Sequence, residues 1–240
     1  MPDSLLLLLL GAGSLCAGAV KGMTGFGGAL MLAPLLTWCL GARESAVLLV
    51  GVHAITGAQG IRGSAAHIRW RSITVCCLAA LLAAAMVAPR MQHIRQAVLR
   101  REVAATIVVL SLLHLLGVRL RNRGGVLLSL GVGLLSGAMT AASGLGGPPA
   151  AMFLAGQSEE KHFLRGNLTA YFMILYISTF ALFLLHHQVS FSMLRYLAVL
   201  TPAFALGNVC GERLFHRLPT FWFDRGVGLL LMAAGVAMLF

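Results

Sequence analysis

Charged residues are scarce in this sequence of 240 residues, where they make up 10% of the chain and hydrophobic residues 59%. Soluble domains average roughly 25% charged and about 45–50% apolar residues, so the composition excludes an ordinary soluble domain. A helix that spans a bilayer needs about 20 mostly apolar residues. The sequence therefore predicts an all-α, polytopic integral membrane protein without a separate soluble domain.

Acidic residues are rarer still: seven Asp and Glu stand against 18 Lys and Arg, which gives a net charge of +11. In a soluble protein such an excess suggests nucleic-acid binding. Here the arginines gather in short connectors between apolar runs, for example at Arg119, Arg121 and Arg123, which is typical of membrane topology signals. We therefore expect the lipid bilayer as a partner and no nucleic acid.

Cysteine is also sparse, and the five cysteines show no CxxC or other metal-ligand spacing. All of them fall in apolar runs, where cysteine behaves as a small apolar residue. We expect neither a metal site nor a cofactor. No pair of acidic residues lies within an apolar segment, which disfavours a cation transporter.

Glycine, by contrast, is abundant, and two glycine-rich motifs interrupt apolar runs at residues 22–28 (GMTGFGG) and 141–147 (AASGLGG). Gly25 and Gly144 lie 119 positions apart, and neighbouring residues of the two motifs share this offset. The chain is therefore interpreted as a tandem duplication.

The duplication predicts two transmembrane repeats, residues 1–123 and 124–240, within one integrated membrane domain. Each repeat contains about five helical segments, and a helix break follows the first segment of each. The ten predicted segments cover residues 4–20, 29–40, 45–61, 72–88, 103–118, 125–141, 148–156, 163–185, 193–208 and 221–240.

An odd number of segments per repeat makes the second repeat enter the membrane in the opposite orientation, so we expect inverted repeats. The expectation holds whether the first two segments of each repeat are full crossings or a re-entrant hairpin, and the sequence leaves that choice open. Alternate connectors place about twice as many Lys and Arg residues on one side as on the other, which by the positive-inside rule puts both termini outside the cytoplasm.

A break in a helix leaves backbone N–H groups that must find other partners. If the next segments begin just after Gly28 and Gly147, their positive dipole ends point toward the motifs. Inversion would bring the two ends together near the membrane midplane, where they suit a small anion. The alternative is that these glycines only let helices pack closely.

The candidate substrate-binding residues follow from this geometry, and Lys21 beside the first motif is either a counter-charge for the anion or a side chain that reaches an interface. The predicted set is Lys21, Thr24, Gly25, Phe26, Gly27, Gly28, Thr140, Ser143, Gly144, Gly146, Gly147 and Pro148.

Three further polar residues lie in or near apolar segments: His53, Asn167 and Asn208. A histidine at membrane depth can carry a proton coupled to transport. The asparagines either line the substrate pathway or make hydrogen bonds between helices, which is the commoner use.

The two glycine motifs, with Pro34-Leu35-Leu36 after the first and Pro148-Pro149 after the second, resemble the sulfite exporter TauE/SafE family of permeases. The resemblance implies a secondary transporter, not an enzyme, in the bacterial inner membrane, with a sulfur-containing anion such as sulfite, a sulfonate or thiosulfate as substrate. The alternatives are an anion channel, or a membrane-embedded metal or redox enzyme that uses buried Cys and His. The specific anion, the direction, the coupling ion and the oligomeric state stay open.

Overall fold

The computed structural model describes residues 3–24, 27–59, 61, 65–115, 125–157 and 161–215. These ranges are almost entirely helical and contain no β-strand. The predicted tenth segment lies outside the described residues. Within them the α-helices are α1 Asp3–Thr24, α2 Gly28–Leu40, α3 Ala42–Thr56, α4 Trp70–Val87, α5 Gln96–Leu115, α6 Val126–Ser143, α7 Gly147–Gln157, α8 Lys161–Leu185 and α9 Phe191–Phe215.

Five of these helices, α1, α4, α6, α8 and α9, are long and apolar enough to cross a membrane. Their outward residues include large apolar side chains, such as Leu8, which is 71% exposed, and Leu127, which is 84% exposed. Such surfaces are stable in lipid and not in water. The protein is therefore a multi-pass membrane protein.

Both glycine motifs interrupt the chain at equivalent positions. Helix α1 ends at Thr24 and α6 at Ser143, whereas α2 begins at Gly28 and α7 at Gly147. The predicted offset between the motifs therefore reappears in the helix boundaries. Helix α1 continues past Val20, where the sequence placed its end, so the last turn of α1 includes the first residues of the motif.

After each motif the chain turns back along the helix it has just left. Gly28 lies against the Ala17 carbonyl, and Gly13, farther back on α1, lies against Leu35. In the second repeat Gly146 lies against the Ser136 carbonyl. The first two helices of each repeat therefore form a hairpin. Helix α2 itself, with 13 residues, is only about 20 Å long.

The turns of both hairpins use left-handed backbone. Gly27 has φ 93° and Gly144 has φ 74°. Residues with a Cβ rarely adopt these angles, which explains why glycine stands at both turns.

Two pairs of parallel helices hold the repeats together. Along α1 and α9, Gly18 faces the Phe204 carbonyl and Gly22 faces the Asn208 carbonyl. Along α4 and α6, a Cβ on Gly137 would lie 2.0 Å from the Ala80 carbonyl oxygen. Small residues allow such close backbone contact in membranes. Each pair joins one helix of the first repeat to one helix of the second.

Helices α3 and α8, which are equivalent in the duplication, cross the centre of the molecule in antiparallel directions. Gly51 lies next to Phe180, and Gly57 near Met173. Of the 15 residues of α3, 12 are buried. This arrangement puts the middle of α3 beside both hairpins.

Candidate anion-binding site

A cavity of about 80 Å³ lies between the two hairpins and the α3–α8 pair. Because one water needs roughly 10–15 Å³ of cavity volume on this measure, the cavity has room for several waters or one small solute. Its lining comes from both repeats: Lys21, Gly27, Gly28, Ala29, Leu30, His53, Gly57, Gln59, Gly147, Pro148, Thr169, Phe172 and Tyr176.

The N-termini of α2 and α7 both reach this cavity, because Gly28 and Gly147 are their first residues. The first backbone hydrogen bond of α2 runs from the Met31 N–H to the Gly27 carbonyl oxygen. The preceding N–H groups lack such a bond within the helix, and they lie at the cavity wall. In α7 Pro148 has no N–H to offer, so this helix end contributes fewer donors than α2 does.

Lys21 lies in the last turn of α1 and lines the cavity. Its Nζ is 5.3 Å from the centroid of the Phe204 ring, a distance at which an ammonium is attracted to an aromatic face. This placement favours the interpretation of Lys21 as a counter-charge within the site.

His53 also lines the cavity, between two aromatic rings. Its ring centroid is 4.9 Å from that of Tyr176 and 5.0 Å from that of Phe204. Its Nδ1 is 2.8 Å from the Leu49 carbonyl oxygen, so this nitrogen carries a proton and donates it to the carbonyl.

Tyr176 and Gln59 are site residues that the sequence did not assign. The Tyr176 hydroxyl donates to the Gly144 carbonyl at 3.3 Å, which ties α8 to the second hairpin turn. Gln59 is exposed, so the cavity opens at the end of α3; we call this end the mouth. Neither residue stands out in the sequence, because only the crossing of α3 and α8 brings them to the hairpins.

Four predicted residues of the second motif build its hairpin and do not line the cavity: Thr140, Ser143, Gly144 and Gly146. The Thr140 hydroxyl donates to the Ser136 carbonyl at 2.8 Å. Ser136 in turn donates to the Gly146 carbonyl at 2.6 Å.

Ser143 contacts a carboxylate, that of Glu102 on α5. Its Oγ lies 2.9 Å from the Met139 carbonyl oxygen and 3.2 Å from Oε1 of Glu102. Glu102 also lies within reach of the Thr106 hydroxyl. This carboxylate therefore belongs to the packing behind the second turn.

The first motif is described only in part. Gly25 and Phe26 lie outside the described residues, and so does the side chain of Thr24. Gly27 and Gly28 line the cavity.

The two predicted asparagines lie in different places. Asn167 is buried and its side-chain oxygen accepts the Arg69 backbone N–H at 2.7 Å, away from the cavity. Asn208 lies at the mouth, where its Nδ2 donates to Gln59 at 3.1 Å.

The family profile described as "Sulfite exporter TauE/SafE" matches residues 10–238, nearly the whole chain. The chain belongs to the sulfite exporter TauE/SafE family. No curated protein and no solved structure matched it. Membership agrees with the resemblance carried by the glycine motifs, and the TauE/SafE family is one of membrane transporters, not of enzymes.

The alternative of a metal or redox enzyme gains no support from this TauE/SafE chain. Within its described residues no three His, Cys, Asp or Glu side chains lie close enough together to hold a metal ion. Cys76 and Cys77 are adjacent on α4 but lie in the apolar interior.

Proposed function

We propose that the protein is a secondary transporter that carries a small sulfur-containing anion, such as sulfite or an organosulfonate, across the bacterial inner membrane by alternating access. One observation carries the proposal: two helix N-termini, one from each repeat, reach a single cavity that also contains Lys21. Helix N-termini attract anions through their free N–H groups and positive dipole ends.

The depth of the cavity supports a transport site. Phe172 and Phe204 lie near the midpoints of the 25-residue helices α8 and α9, and both are beside the cavity or its lysine. Substrates of secondary transporters bind near the midplane, at the interface of two repeats.

The helix directions support inverted repeats, residues 1–123 and 124–240. Helix α9 runs parallel to α1, and α3 runs parallel to α9, since Gly51 lies by Leu197 and Gln59 by Asn208. Helix α8 opposes α3. Helix α4 runs parallel to α8, and α6 runs parallel to α4. Helix α6 therefore opposes its counterpart α1, as inversion requires.

The charge pattern supports a cytoplasmic mouth. Arg69 precedes α4, Arg165 lies near the start of α8 and Arg213 near the end of α9, and all three lie at the end where Gln59 marks the mouth. Arginines also lie between α4 and α5 at the other end, so the orientation rests on the roughly twofold excess of Lys and Arg in alternate connectors of the whole sequence. By the positive-inside rule this end faces the cytoplasm, and the N-terminus of α1 lies on the opposite side.

Transport is tested with purified protein in proteoliposomes, by measuring the flux of radiolabelled sulfite and methanesulfonate. The decisive variant is Gly147→Ala, because its methyl would project toward the cavity with Phe172 and Tyr176 atoms no closer than 3.6 Å. We expect saturable flux in the wild type and a loss of at least about tenfold, equivalent to 1.4 kcal/mol, in the variant.

The matched control is Gly131→Ala, since a Cβ at Gly131 would meet nothing within 4 Å. Its flux should equal that of the wild type. Unchanged flux in Gly147→Ala would reject the site, and flux that never saturates would favour a channel.

A further inference from the structure

We infer that the cavity selects anions with a single negative charge over doubly charged anions of the same shape, and that the lone charge of Lys21 sets this preference. The inference deepens the proposed function and rests on it. It follows from the charges around the cavity and from the aromatic rings beside it.

Lys21 is the one Lys, Arg, Asp or Glu among the described residues that line the cavity. Gln59, Thr169 and Tyr176 supply polar but neutral groups. His53 lies between two aromatic rings, one of which also faces the Lys21 ammonium. Burial beside a lysine disfavours a second positive charge there, so the described side chains of the lining contribute one positive charge.

The nearest carboxylate on α9 does not change this balance. Glu212 lies one turn beyond Asn208 and forms an ion pair with Arg165. The two charges cancel at the mouth. Neither side chain belongs to the cavity lining.

The helix N-termini do not replace a second cation. A helix end favours an anion by between about twofold and 30-fold, and Pro148 removes one donor from α7. An uncompensated charge in a buried site costs on the order of a thousandfold in binding. A dianion beside Lys21 would keep one such charge, whereas a monoanion would keep none.

The cavity wall also suits an anion with a small apolar group. The rings of Phe172 and Tyr176 line it, and that of Phe204 lies behind Lys21. A methyl group against these rings buries apolar surface favourably. An oxygen in the same position would lose its bonds to water without gaining a donor from a phenyl ring.

Methanesulfonate and sulfate test this directly, because they have the same tetrahedral shape and differ by one methyl in place of one charged oxygen. Their dissociation constants for the purified wild-type protein would be measured by titration calorimetry. We expect methanesulfonate to bind at least about tenfold more tightly. Equal binding, or tighter binding of sulfate, would overturn the inference.

A second cation at the mouth should weaken the preference. Gln59→Lys adds a charge at an exposed position of the cavity lining, and Gln59→Met is the uncharged control of similar length. We expect the ratio of sulfate to methanesulfonate affinity to rise at least about tenfold in Gln59→Lys relative to Gln59→Met. An unchanged ratio would contradict the role of charge.

The outcomes separate the inference from the function it rests on. Flux of sulfite together with equal binding of the two test anions would refute only the charge preference. If neither anion bound and no flux of sulfite or methanesulfonate were measured, the proposed transport function would fail as well.

Discussion

Lys21 and Thr140 occupy matching positions in the two repeats, 119 residues apart, yet they serve different purposes. Lys21 lines the cavity, whereas the Thr140 hydroxyl bonds to the carbonyl of Ser136 in its own helix. The duplication therefore supplies two equivalent backbone turns but only one charge. The proposed preference for singly charged anions rests on this difference between Lys21 and Thr140.

Gly144 is the glycine of the second hairpin turn whose backbone is left-handed. At φ 74° a side chain is strained, and a Cβ would lie 2.8 Å from Cβ of Leu49. We predict that Gly144→Ala destabilises the protein by about 1–3 kcal/mol. Thermal unfolding in detergent, with Gly131→Ala as the control, measures this, and an unshifted melting temperature would contradict it.

Asn167 and Asn208 should separate stability from binding. Asn167, which is buried, holds the Arg69 backbone through a partly buried hydrogen bond, so Asn167→Ala should lower stability by about 1 kcal/mol, the typical net contribution of one hydrogen bond. The anion affinity of the variant should stay at the wild-type value.

Asn208→Ala should have the opposite profile, because it removes a partly exposed contact with Gln59 at the mouth. We expect a small change in melting temperature and a changed transport rate. A loss of anion binding in Asn167→Ala without loss of stability would show that Asn167 serves the pathway after all.

At the scale of elements, the seam between α1 and α9 depends on glycine where backbones touch. A Cβ on Gly18 would lie 2.2 Å from the Phe204 carbonyl oxygen, whereas one on Gly11, on the same helix, would lie 3.4 Å from a methyl of Val199. We predict that Gly18→Ala costs about 1–3 kcal/mol through overpacking, and that Gly11→Ala costs much less. Similar yields and melting temperatures for both would refute this.

At the scale of the whole molecule, each close helix pair joins the two repeats, so the repeats cannot move as two separate bodies. The pairs α1–α9 and α4–α6 should move as units, with sliding at the contacts of α3. A cross-link within a pair should then be tolerated, and one across the mouth should block transport.

Cross-linking tests this in a protein whose five native cysteines are replaced by alanine. The pair Gly11→Cys and Val199→Cys lies within the α1–α9 seam, and the pair Gln59→Cys and Asn208→Cys joins α3 to α9 at the mouth, where the native side chains meet end to end. Both pairs are bridged with a bis-maleimide that contains a reducible disulfide, because a direct disulfide needs Cβ atoms about 3.5–4.5 Å apart. We expect the cross-link to abolish sulfite flux only in the second protein and reduction to restore it. Equal loss in both would mean that the seam itself opens.

The sequence by itself determined the membrane class and the positions of both helix breaks. Each follows from local chemistry: apolar composition favours lipid, and a turn at φ 93° or 74° favours a residue without a Cβ, as at Gly27 and Gly144. The family followed from the same short motifs.

Only the tertiary structure decided that the broken segments are hairpins and which polar groups share the cavity. Ser143 belongs to a motif yet faces Glu102, whereas Gln59 and Tyr176 belong to no motif yet line the cavity. The reason is that the cavity forms where α3 crosses α8, and the residues of these two helices lie more than a hundred positions apart in the chain. Such contacts depend on how whole helices pack, and no local pattern of residues encodes them.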